Sequence, residues 1–268
     1  VYFLLLTALL ASPPITLPIE VAGPNGISAS VDVALSLAIA TQAKALRMKI
    51  HGLAYPDMIG VRINNSAWTD INNASVSVAE PGKSYGGIGG GFATLEITLP
   101  LPSGTVKDQN TIQFRFNRTD GLVSGFRVLA FNFVDGAGRP LLPPETFAQE
   151  DPGKWRPPLP NADQIAAGQS LWRTAQLLAN GLPHSPPIRA HCADCHTRDG
   201  RDLKYFNFSN GSIIARSKFH GLSELQGREI ASYIRSLKVP NPGRPWDPPF
   251  QPGPGLDAQP AVNWAAGA

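Results

Sequence analysis

The chain has 268 residues, with 23 Lys and Arg against 20 Asp and Glu and a net charge of +3. That mild balance does not suggest a nucleic-acid binder, which normally shows a concentrated basic stripe. With 43% hydrophobic and 16% charged residues, there is enough apolar surface for real cores, which excludes a disordered chain and suits two modest domains.

The opening stretch VYFLLLTALLASPP predicts the remnant of a secretion signal over residues 1–14. An apolar run over 3–10 is followed by the small residues Ala11 and Ser12. The alternative is an apolar first strand. The run falls far short of the ~20 residues that span a bilayer. No other segment could cross one, so no transmembrane span is expected. The signal reading implies a periplasmic or extracellular address in a bacterium.

Over 15–138 the apolar residues alternate. Leu46, Met48 and Ile50 interleave with Arg47, Lys49 and His51. Leu95, Ile97 and Leu99 flank Glu96 and Thr98, and Ile112, Phe114 and Phe116 flank Gln113 and Arg115. Period-2 runs separated by Asn, Gly and Asp turns predict an all-β antiparallel sandwich, jelly-roll or Ig-like. Trp68, Tyr85 and Phe92 lie near expected turns, where exposed rings can stack on sugars, although core positions are the more ordinary use. YGGIGGGF (85–92) lacks the spacing of a nucleotide loop. Asp120 and Asp135 are isolated turn carboxylates, and nothing here forms an acid–base pair.

Seven prolines between Arg139 and Pro160 bar regular helix or central strand, marking 139–160 as a linker. Over 161–240 the period becomes helical. Asn161 with Gln164, and Ser223 with Gln226, have the spacing of N-terminal caps. Apolar stripes follow each of them, so the second domain is expected to be all-α. Eight further prolines between Pro240 and Pro260 predict an extended tail over 241–268.

The only two cysteines, Cys192 and Cys195, are followed at once by His196. Three chemistries use this spacing. A redox dithiol belongs at the start of a helix in an α/β unit, and no βαβ pattern surrounds it. Zinc needs about four ligands; Cys192, Cys195 and His196 offer three, with His191, His184 or His220 as a fourth, but no second paired motif exists. Covalent haem c attachment needs two cysteines about one helical turn apart and an imidazole next to them for the iron.

Three segments in order carry a resemblance to class I c-type cytochrome domains over about 160–240. DQIAAGQSLW resembles their first helix, with Gly168 as the glycine of its crossing. CADCHTRDGR is similar to their attachment segment, including Asp199 and Gly200. LSELQGREIASYIRSL resembles their terminal helix, with Tyr233 packing across Gly168. The resemblance implies an all-α cytochrome c domain with one haem c on Cys192 and Cys195, and His196 as proximal ligand. KDQNTIQFRF (107–116) is similar to a strand in jelly-roll modules of glycan-active enzymes, in a shorter match.

One departure matters. The usual methionine ligand has no counterpart: Met48 and Met58 precede the motif, and Arg216 stands near the expected position. His220 is the best candidate for the distal ligand, with His184 a weaker one, and His191 is too near the attachment turn. Five-coordinate iron and a methionine ligand from beyond Ala268 are the other outcomes. Bis-histidine ligation implies a lower potential than His/Met.

The function expected is one-electron transfer by an exported monohaem cytochrome, with the sandwich serving docking, anchoring or assembly. Excess Lys and Arg in 155–247 would steer an acidic redox partner protein. The alternatives are an open-coordinate haem enzyme or sensor acting on peroxide or a small ligand, and a glycan-binding protein that carries the haem to a cell-surface polymer.

Overall fold

A computed structural model describes residues 13–53, 55–80, 84–85, 92–121, 123–181, 184–205 and 209–240. Residues 1–12 of the expected signal over 1–14, residues 86–91 and the expected tail over 241–268 lie outside them.

Alternation builds two sheets. One contains β3 (Ser28–Ala34), β5 (Ile59–Ile63), β6 (Thr69–Asp70) and β10 (Gln109–Phe116), in the order β3-β10-β5-β6. The other contains β2 (Ile19–Ala22), β4 (Ala45–Leu53), β7 (Ser77–Glu80), β9 (Phe92–Pro100) and β11 (Gly125–Val134), in the order β2-β11-β4-β9-β7, with β8 (Ser84–Tyr85) also on β9. Pairing inside both sheets is antiparallel. Leu46, Met48 and Ile50 from one sheet and Ile112, Phe114 and Phe116 from the other join a single buried cluster. Their polar neighbours in sequence turn away from it, as a two-residue period requires.

Two features break the expected pattern of this half. A short helix, α1 (Leu37–Ala40), is capped by the Ser36 hydroxyl. β1 (Ile15–Leu17) pairs in parallel with β12 (Phe147–Gln149), a strand inside the proline-rich stretch.

Beyond the prolines come α2 (Ala162–Thr174), β13 (Leu177–Leu178), β14 (Pro187–Ile188), α3 (Cys192–Cys195), α4 (Arg201–Tyr205), α5 (Asn210–Phe219) and α6 (Glu224–Ser236). The expectation of an all-β sandwich followed by an all-α cytochrome c domain is overturned. Among the described residues the structure is mixed, 32% strand and 26% helix, with sheets spread along the chain and six short helices. β13 and β14 form an antiparallel pair inside the region expected to be helical. The cause is local: Pro183, Pro186 and Pro187 withhold the amide donors that a helix needs between α2 and α3.

The caps follow the spacing. The Asn161 side chain accepts the Gln164 N–H, and Ser223 and Gln226 close a reciprocal capping box on α6. α2 crosses α6 at Gly168, where an added Cβ would stand 2.0 Å from the Glu229 carbonyl oxygen. Trp172, Leu203, Ile213, Ile230, Tyr233 and Ile234 fill the core around this crossing.

Polar contacts tie the halves together. The Glu20 carboxylate on β2 accepts both the backbone N–H and the hydroxyl of Ser209, the cap of α5. Leu159 N–H donates to the Ser232 hydroxyl at 2.9 Å, which holds the connector on α6. Among the described residues, no helix is long and apolar enough to cross a membrane.

Candidate functional site

The short helix α3 puts Cys192 and Cys195 on one turn, and the His196 N–H donates to the Cys192 carbonyl at 2.9 Å. Asp194 closes the start of that turn by accepting the His191 N–H at 2.7 Å. Both cysteines are free thiols. Burial pushes the Cys192 thiol up to about 12 and raises Cys195 as well, with the Asp194 charge adding to both. A dithiol oxidoreductase needs the opposite, a thiolate stabilised near neutral pH. These sulfurs are poised as neutral thiols.

His196 follows the turn, with its ring centroid 5.5 Å from that of Trp172. Its Nδ1 is 2.6 Å from Asp202 Oδ2. A carboxylate only accepts, so Nδ1 carries the proton and Nε2 keeps its lone pair. The side chain remains 38% exposed, so that lone pair is not sealed in the core.

His220 ends α5 and is fixed by a strand. Its Nδ1 donates to the Leu178 carbonyl of β13 at 2.8 Å, and the Leu178 N–H donates to the His220 carbonyl at 3.0 Å. Gly221 (φ +85°) lets the chain press on Leu178, whose Cδ1 would be 2.7 Å from a Cβ there. Burial first, then the Arg216 charge, pulls the His220 imidazolium down to about 4, and His196 adds to that effect. At neutral pH the ring is therefore uncharged, with Nε2 as its free base. His196 and Arg216 thus lie in the electrostatic neighbourhood of His220.

Arg216, at the position where the resemblance expects methionine, is itself drawn in. Burial lowers it to about 10, which leaves it cationic at neutral pH, and its charge interacts with Asp120 and Cys195. Its guanidinium lies 4.4 Å over the Phe219 ring, and Nη1 reaches Ser124 Oγ at 3.5 Å.

The other candidates disperse. His191 Nδ1 donates to the Ala175 carbonyl at 2.9 Å, and His184 lies exposed in the β13–β14 turn. Met48 and Met58 are buried in the sandwich core. Trp68 lies under two guanidinium groups, Arg62 at 4.7 Å and Arg115 at 4.2 Å from its centroid. Beside it, an open cavity of about 440 Å³ is lined by Gly26, Asp57, Asp70, Arg115, Asn117 and Arg118. Tyr85 pairs with Phe92 across β8 and β9. Asp135 is the turn carboxylate expected, accepting from Arg139 and Ala137.

Sequence reasoning missed Asp202 and the Leu178 carbonyl. Only the acidic residue in the first turn of α4 signals the former, and no sequence signal marks the latter.

Among the described residues, no three His, Cys, Asp or Glu side chains converge to hold a bare metal ion. A haem asks less of the chain, because the porphyrin supplies four ligands. The donor set fits it: two neutral thiols one turn apart, and two imidazoles whose Nδ1 protons are engaged elsewhere. No protein-family model matches this chain, and neither a curated protein nor a solved structure matches it.

Proposed function

We propose that the chain is an exported monohaem c-type electron carrier. Cys192 and Cys195 would anchor the haem through thioether bonds, with His196 Nε2 and His220 Nε2 as the axial donors. When bound, the haem supplies a one-electron ferric/ferrous couple, taking an electron from one redox partner protein and passing it to another. The protein would hold that couple by fixing the tautomers of His196 and His220. The observation that carries the reading is the state of two histidines, His196 at the CxxC turn and His220, which feels its charge. Each donates Nδ1–H to a fixed acceptor, Asp202 or the Leu178 carbonyl, which leaves Nε2 as the only possible ligand atom.

Attachment of haem c takes place outside the cytoplasm, which agrees with the apolar, small-residue opening of the chain and implies a periplasmic or extracellular site of action. The sandwich would serve for docking or anchoring. The buried cation Arg216 beside His220 favours one second reading, an open-coordinate haem that acts on peroxide or a small anion.

Both readings meet the same experiment. The full chain, made together with a haem-attachment system, is expected to keep its haem through denaturation. Replacing both Cys192 and Cys195 with serine should release it. The wild-type spectrum should be low-spin and indifferent to carbon monoxide, and His220→Ala should become high-spin and bind it. A chain that takes up no covalent haem sinks the proposal. A wild type that is already high-spin transfers the case to the second reading.

A further inference from the structure

We propose that Asp202 is a positioning residue that sets the potential of the iron site through His196, an inference that rests on the haem reading above.

Asp202 lies in the first turn of α4 and is 8% exposed. Its Oδ2 takes the His196 Nδ1 proton at 2.6 Å. Its Oδ1 accepts the Thr197 hydroxyl at 2.7 Å and the Thr197 N–H at 3.2 Å. The Asp202 backbone N–H returns to the Thr197 hydroxyl at 3.3 Å. Turning the carboxylate away from His196 would break this set at once, so the ring is held in one orientation and one tautomer.

The electronic consequence follows from the acceptor. A carboxylate draws the shared proton harder than a carbonyl does, so the imidazole gains anionic character and becomes a stronger donor at Nε2. Stronger donation stabilises oxidised iron and lowers its potential. His220 has no such partner, because its Nδ1 proton goes to the neutral Leu178 carbonyl. The two candidate donors would therefore be unequal, with the charged partner behind the imidazole next to the cysteines.

Asp202→Asn keeps the size and removes the charge. At a fixed ambient potential it should shift the oxidised-to-reduced ratio about tenfold toward reduced, a rise of ~59 mV in midpoint for a one-electron couple. Thr197→Val acts in the opposite sense: without the hydroxyl bond to Oδ1, more charge rests on Oδ2, and the midpoint should fall. Mere loosening of the site would not move the two variants in opposite directions. Haem-bearing variants with unchanged midpoints, or with both shifted the same way, overturn the inference. If Asp202→Asn does not fold, Thr197→Val decides alone, and a midpoint that does not fall is the negative result. Failure of the haem reading is separable, because it shows in the mass of the wild-type chain before any potential is measured.

Discussion

A Cβ at position 168 would stand 2.0 Å from the Glu229 oxygen, 2.4 Å from its carbonyl carbon and 3.0 Å from the Ile230 nitrogen. These are backbone atoms and cannot turn aside, so α2 meets α6 only over a glycine. Gly168→Ala should therefore push the helices apart and cost at least ~1–3 kcal/mol, the usual range for overpacking. Thermal unfolding of the two proteins would measure it, and an unchanged melting temperature would mean that the crossing is slack. Gly200 is constrained twice, by its φ of +77° and by Ile234 Cδ1 at 2.2 Å from a Cβ. Both glycines are marked in the sequence by the resemblance of their segments to c-type cytochrome domains. Asp202 is not, since no spacing rule distinguishes a carboxylate that supports a histidine from one that favours a helix N-terminus.

At the scale of elements, what could be read depended on length. β4, β9, β10 and β11 each run eight residues or more, long enough for alternation to declare itself. α2 and α6 are thirteen residues each and carry recognisable caps. β13 and β14 have two residues apiece, too few for any period, and proline occupies one of the four positions. That is why the second half reads as purely helical in sequence, and why the strand that holds His220 went unseen. The capping box on α6 offers a test of the legible part. Ser223→Ala removes the acceptor of the Gln226 N–H, bonded at 3.2 Å, and should cost ~1 kcal/mol. A lower urea midpoint with an unchanged m-value is the expected result; an unmoved midpoint would show that packing of α6 makes the cap redundant.

At the scale of the whole molecule, the described residues of the two halves meet through partly buried polar groups, and separate hydrophobic clusters serve each. Glu20 is the clearest of these groups. Burial raises its carboxyl above the ordinary value of 4.5, outweighing the hydrogen bonds from Ser209 and the charge of Arg127 that lower it. A folded value above the unfolded one means that the folded protein binds the proton more tightly. Its contribution to stability is thus complete below the ordinary carboxylate value and is lost as pH rises through the raised one. Glu20→Gln keeps one of the two acceptor oxygens and removes the titration, so the variant should lose this downward slope above about pH 4.5. Urea unfolding of both proteins from acid to neutral pH would show it, and parallel profiles would refute it. The partnership of β1 with β12 has its own bearing, on the order of events in time. Ile15 meets Phe147 only after nearly all of the sandwich sequence between them has been gathered in, and such distant, parallel closures come late in folding. The connector that leads to α2 leaves directly from this pair. The second half is therefore tethered at the place where the sandwich closes last.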